Sequence, residues 1–456
     1  MTQVLEKYSG YLAQYEELEA SWEANRLPWL AQLRGHAWSR FADLGMPTAR
    51  RGNEKWKYTN VGPIANGSFG HPLGLDPNDY IAPDLIAQAA PWQEEWINLV
   101  FLDGRFSSSL STVSLSNGVY AGGVYAGGLG GIPAEHANVF RQHLGQHALA
   151  EEDGFTALNT AFLHDGLFVH VPEGAPAPAL LNLVFATTDR HQPRVTYPRV
   201  LVVAGPGTQL TLSESYVSLT QEPGFTNAVT EIVLEENSQV RHCRLLLENQ
   251  QAFHVGTSRV YLPQNSSFNS TSFAKGAALG RSDLHCLLDG PGASCTLNGL
   301  YLTTGTQHMD NFINIEHAKP HGTSRLLYKG ILDGHSRAVF GGTVLVRKDA
   351  QHTNAHQTDK NLLLSEDAEI DSKPSLFIYA DDVICGHGAT AGHIDAETLF
   401  YMRSRGLDLA TASRILVQAF AGEIIEKVEP EPLRDYLEKL YSGAVSAPGL
   451  SLGGTP

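Results

Sequence analysis

The sequence predicts a mainly β protein with helical parts at either end. Three observations carry this. Short strand-like runs with turn pairs between them fill most of the span from residue 155 to 384. Helical periodicity is confined to the two ends of the chain. Gly supplies 44 of the 456 residues, and Gly tolerates the positive φ that tight turns need. The length exceeds the roughly 250–300 residues at which a single core stops growing, so two or three domains, or one elongated one, are expected.

Taken in order, the first stretch is helical. Leu5, Tyr8, Leu12, Tyr15, Leu18 and Trp22 recur every three or four residues, as one face of an amphipathic helix does. Trp29, Leu33, Trp38, Phe41 and Leu44 continue the pattern until Gly45 and Pro47 stop it. From Trp96 to Phe106 an apolar run closes on Asp103-Gly104, a strand-and-turn signal. A duplicated VYAGG at 119–123 and 124–128 lacks GxGxxG spacing and reads as a loop or a pair of tight turns. The β region follows, with strands expected at Leu180 to Phe185, Arg199 to Val203, Gln209 to Leu212, Val229 to Leu234 and Val240 to Leu247. Arg259 to Leu262, Leu297 to Leu302, Arg325 to Leu332 and Thr343 to Val346 complete the series. Asp289-Gly290, Asn298-Gly299, Asp333-Gly334 and Gly341-Gly342 are read as turns. No regular repeat appears, which weighs against a propeller; pattern alone leaves sandwich and solenoid both open.

After Gly392 the period turns helical again. Asp395 is placed as an N-cap and Gly406 as the C′ stop. Asp408 caps a second helix in which Ala412, Leu416, Phe420 and Ile424 repeat every four residues. A short helix with Leu433, Leu437 and Leu440 precedes a Ser/Gly/Pro tail. The expected division is 1–95 helical, 96–154 mixed, 155–393 the β core, 394–441 helical, and 442–456 a disordered tail.

Composition excludes several roles. The balance of 32 Lys+Arg against 48 Asp+Glu, net −16, does not suit general phosphate-backbone binding. No run approaches the about 18 apolar residues a spanning helix needs, and the acidic start has no apolar h-region. Four Cys with no CxxC fit a reducing cytoplasm, so a cytoplasmic location is expected. GxxxxGK[ST], HExxH and GxSxG are absent, so ATP hydrolysis by a P-loop of its own is not expected. Cys243, Cys286 and Cys295 read as small buried apolar residues. His352 and His356 would stand roughly 13 Å apart along a strand, too far to chelate.

Cys385-Gly386-His387-Gly388 stands apart. In extended backbone Cys385 and His387 share a face, roughly 6.5–7 Å apart. A thiolate and an imidazole suit iron, zinc or an iron–sulfur unit. Two ligands are half of the about four that a closed site takes. The competing reading is a turn with a buried Cys and a solvated His.

The run DDVICGHGATAGHIDAETLFYMRSRG, Asp381 to Gly406, closely resembles the carboxy-terminal signature of the SufB/SufD family of iron–sulfur cluster assembly proteins, the SufD branch in particular. Glu54-Lys55-Trp56-Lys57-Tyr58-Thr59 is similar to the family's amino-terminal element, and 100–106 and 157–162 are like other family segments. The resemblance implies a right-handed parallel β-helix flanked by helical parts. It implies a non-enzymatic scaffold in a SufBCD-type complex, with a SufB-like paralogue, the ABC-type ATPase SufC and, indirectly, a cysteine desulfurase system. It implies a cluster site shared with the paralogue, to which Cys385 and His387 contribute. It implies ATPase docking on the carboxy-terminal helices, with Arg403, Arg405, Ala412, Leu416, Phe420 and Ile424 as candidate contacts. The apolar stripe could equally pack on the β domain, and the arginines could equally serve as a helix cap. A reduced flavin, FAD, is associated with such complexes, and nothing in the sequence locates it. The alternatives are a SufB-type core subunit, disfavoured by the missing CxxC, and a β-helix enzyme acting on polysaccharide, for which no convincing carboxylate pair is seen.

Overall fold

A computed structural model describes residues 8–21, 28–50, 53–71, 81–112, 119–121, 124–129, 132–188 and 193–445. Its centre is a parallel β-solenoid of two facing sheets, one of 10 strands and one of 11. From Gln209 onward the chain lays one strand in each sheet alternately, and each strand pairs in parallel with the strand two places along. Gln209–Ser218, Gln239–Leu247 and Ser267–Ala274 stack in one sheet; Gly224–Leu234, Phe253–Leu262 and Leu279–Leu288 stack in the other. Alternate residues point between the sheets. Leu210, Leu212, Val240, Phe268, Leu297 and Ile313 are among those that fill this inner core.

One device recurs at the corner that leads from the 11-stranded sheet to its partner. Gly207, Asn237, Asn265, Gly292, His321 and His352 all hold positive φ there. Each donates its backbone N–H to a carbonyl of the next rung, at 2.6–3.2 Å: Gly207 to Glu236, Asn237 to Gln264, Asn265 to Pro291, and so on to His352 and Asp382. Gly, Asn and His are the residues that enter this region most readily.

At the amino-terminal end the sheets finish in short antiparallel hairpins. Ile97–Leu102 turns through Asp103 and Gly104, both at positive φ, into Arg105–Ser107. The VYAGG duplication is two paired strands, Val119–Ala121 and Val124–Gly128, and not a loop. Helices Ser9–Ser21 and Pro28–Leu44 lie beside this end; Tyr15 stacks on Trp38 at 4.4 Å, and both meet Phe162. Leu5 and Trp22 lie outside the described residues.

Other expectations need correction. Gly154–Ala161 is a buried helix inside the span read as strands, capped by Asp153, which accepts from Phe155 and Thr156 N–H. Asn298-Gly299 and Gly341-Gly342 lie within strands Ser294–Thr303 and Arg337–Val346. A Cβ on Gly299 would stand 2.2 Å from the Tyr328 ring, so this glycine makes room for an aromatic rather than a turn. The solenoid sheet starts at Ile97, not at 155, because Ile97–Leu102 pairs in parallel with Leu181–Thr187. The last helix, Glu431–Val445, runs past 441, and the remainder of the tail lies outside the described residues. Among the described residues no helix is long and apolar enough to cross a membrane.

Candidate functional site

The carboxy-terminal end of the solenoid is built differently from the start. Its last rung consists of Glu369–Ile378, the edge of one sheet, and Ile384–Gly392, the edge of the other. Among the described residues neither edge has a further strand on it. The side chains there are correspondingly exposed: Tyr379 is 64% accessible and Ile384 65%.

Cys385 and His387 lie on this terminal strand. Cys385 pairs in register with Ala355, and His387 with Gln357, both of which are buried between the sheets. Cys385 and His387 therefore share the inward face, at the rim of an open rod. Cys385 is half-buried against the inner core, while His387 is exposed. Burial raises the Cys385 thiol above its ordinary pKa, and a backbone hydrogen bond with Ala355 opposes that. Gln357 Nε2 stands 3.4 Å from His387 Nδ1, and Gln357 Oε1 is buried with no hydrogen-bond partner. Rotating this amide would let Oε1 accept the Nδ1 proton and leave Nε2 free as a ligand atom.

The rung below supplies more polar groups. Asp359 and Asn361 face inward two and four residues beyond Gln357. Asp359 accepts from Ser372 Oγ at 2.7 Å and from Asn361 Nδ2 at 2.8 Å. Burial raises its carboxyl to about 6 despite those two hydrogen bonds. Sequence reading missed Gln357, Asp359 and Ser372, because the contacts that gather them run across strands. Among the described residues no group of three or more His, Cys, Asp and Glu is placed to hold a metal ion.

The carboxy-terminal helices show which candidate contacts remain accessible. Asp395 accepts from Thr398 N–H at 2.8 Å and begins Ala396–Ser404; Asp408 accepts from Thr411 N–H at 2.9 Å and begins Leu409–Ile425. Gly406 has positive φ, as a C′ residue does. Arg403 and Arg405 are exposed, and Arg405 lies over the Tyr401 ring at 5.3 Å. Ala412 and Ile424 are wholly buried, and Phe420 packs on the solenoid, where Lys329 Nζ donates to its carbonyl at 2.8 Å and sits 4.2 Å from its ring centre. The stripe is thus largely the face this helix gives to its own chain. Leu416 is half-buried. The accessible apolar groups nearby are instead Phe400, Tyr401, Leu409 and Ile415.

The other sequence candidates fall apart in space or inward. Cys243, Cys286 and Cys295 are buried. His352 meets Asp382 at 2.9 Å at the corner, while His356 lies on a strand with its ring over Gly386.

Residues 185–420 match the family described as "SUF system FeS cluster assembly, SufBD core domain", and residues 5–181 match "SufBD protein N-terminal region". The chain belongs to the SufB/SufD family. Within it the chain is most like SufD. It is 31% identical over 428 residues to a SufBD family iron–sulfur cluster assembly protein of Synechocystis, covering 91% of this chain and 90% of that one. It is 31% identical over 391 residues to SufD of Escherichia coli, covering 86% and 87%. To SufD of Bacillus subtilis it is 24% identical over 326 residues, covering 66% and 70%. Family membership carries participation in the Suf system of iron–sulfur cluster assembly.

Proposed function

We propose that this chain is a non-catalytic scaffold subunit of a SufBCD-type complex, acting in the cytoplasm with a SufB-like paralogue and the ATPase SufC. The observation that carries the proposal is the open end of the solenoid. Two unpaired edge strands form a template on which another chain's strands can add. Cys385 and His387 stand at that rim, as half of a ligand set that a second subunit would complete. Iron and sulfur are the cargo of this site. Sulfur would come indirectly from a cysteine desulfurase, and the assembled cluster would leave after transient residence. Flavin association is assigned to the complex.

ATP dependence in such a complex is borrowed from SufC. The exposed Arg403 and Arg405, with Phe400 and Tyr401, offer that ATPase a cationic and aromatic surface. Phe420 and Ile424 would transmit its motion, since they pack in the apolar cluster that joins this helix to the solenoid.

Purification of the tagged chain from its own cells is expected to bring down an ATPase and a paralogous subunit. In the reconstituted complex, Cys385→Ser with His387→Ala is expected to abolish cluster formation, followed by its visible absorbance, while leaving the subunits associated. Unchanged cluster formation would sink the ligand assignment.

A further inference from the structure

The joint between helices Leu409–Ile425 and Glu431–Val445 lies over the outer face of the 10-stranded sheet. Val428 and Leu433 are buried there in one apolar cluster with Leu245, Phe273 and Leu300 of three successive strands. Beneath the same joint the face changes character. Two residues earlier on those strands, and so on the same face, stand Cys243, Thr271 and Asn298, in register with one another. Two residues earlier again stand Arg241, Asn269 and Thr296, also in register, with Thr211 on the next strand.

These groups floor a cavity of about 230 Å³ that the joint roofs. That is below the roughly 300–1,000 Å³ that holds a drug-sized ligand, and suits a small molecule. Thr271 and Asn298 are only 8% and 9% accessible and line the cavity. Among the described residues neither side chain makes a hydrogen bond, and neither do those of Thr211, Asn269 and Thr296. Buried polar groups are nearly always bonded, so this floor is a row of donors and acceptors still to be used. The charges in the lining are unequal. Arg241 meets Glu429 at 3.3 Å through one nitrogen, which leaves most of its guanidinium donors open. Lys427 has no carboxylate within ion-pair distance among the described residues. Two cations thus stand against one carboxylate, in a chain whose net charge is −16.

We propose that this cavity binds a small hydroxylated anion, a hydroxycarboxylate or a phosphate ester of similar size. Lys427 and Arg241 take the charged oxygens, where hydrogen bonds are strongest. The threonine hydroxyls and asparagine amides each offer a donor and an acceptor, as the hydroxyl groups of such a molecule require. Leu180, Val428 and Leu433 cover its carbon skeleton. Arg241 belongs to the sheet and Lys427 to the joint, so a bound anion bridges the two and pins the last helix pair to the solenoid. The binding does not require the assembly reading to hold.

The test is isothermal titration calorimetry of the full chain, in a chloride buffer, with citrate and, separately, with glycerol 3-phosphate. Saturable binding of at least one is expected; citrate alone marks a carboxylate ligand, glycerol 3-phosphate alone a phosphate ester. Lys427→Gln and Thr271→Val should each weaken it about tenfold. Lys427 is exposed and Thr271→Val is nearly isosteric, so both variants keep the fold. Lys348→Gln removes the same charge at an exposed turn outside the cavity and should bind as the parent does. Absence of saturable binding for both anions, unchanged affinity in Lys427→Gln or in Thr271→Val, or an equal loss in Lys348→Gln overturns the proposal.

Discussion

Arg199 and Glu231 form an ion pair with no accessible surface. Glu231 also accepts from the N–H groups of Gly145, His147 and Ala148, and Arg199 donates to Asn159 and Thr160. The pair thereby joins the solenoid to the helix Gly154–Ala161 and the loop before it. Burial disfavours the Glu231 carboxylate, but Arg199 and the three N–H groups hold its pKa below the usual value. Arg199→Ala strands that charge, and the expected loss is about 3–5 kcal/mol in chemical denaturation. Nothing in the sequence pairs these residues: they lie 32 positions apart, and only the strand pairing that sets Glu231 beside Leu201 brings them together. Cys385 and His387 were legible for the opposite reason: two positions on one strand carry their own geometry. Gln357, which meets His387 from the neighbouring strand, was not.

At the scale of elements, the corner residues explain why the repeat was hidden. Each rung needs one residue at positive φ, and Gly, Asn and His all meet that need, so the structural period leaves no fixed letter in the sequence. Gly292→Ala is expected to cost about 1–2 kcal/mol, since a side chain there is strained. Asn237→Gly should stay within about 0.5 kcal/mol of the parent in the same denaturation assay. The helices were better marked, because a cap is a local contact: Asp395 and Asp408 each bond three residues ahead. The helix Gly154–Ala161 was missed because every residue in it is buried, leaving no polar face to set a period. For the terminal strand, Ile384→Lys places charge on an exposed edge. It should leave unfolding within about 0.5 kcal/mol of the parent while abolishing co-purification of the paralogue.

The molecule as a whole carries a set of histidines kept neutral by the fold. Burial holds His71 down to about 3 and His170 and His317 to about 4, with His136 and His143 adding to the effect at His170. The unfolded chain takes up these protons near the ordinary 6.5, whereas the fold resists them. Their contribution is complete above about 6.5 and is lost as pH falls toward 4 and then 3. Asp359 runs the other way: its raised carboxyl favours the fold below the ordinary 3.8, and that advantage is lost as pH rises through about 6. The histidines are more numerous, so thermal melts should show Tm several degrees lower at pH 5 than at pH 7.5; equal values would contradict this. Fold class and helical ends were readable at this scale from periodicity, whereas sandwich and solenoid differ only in which strands pair. The pairing also gives the rod unlike ends. Three-residue hairpin strands, Arg105–Ser107 and Val119–Ala121, finish one end, and strands of 10 and 9 residues finish the other. A subunit that joins through its long edges has spent them, and the blunt extremity it leaves is a poor seed for a third. Addition would halt at two, where a rod raw at both extremities would go on to form a fibre.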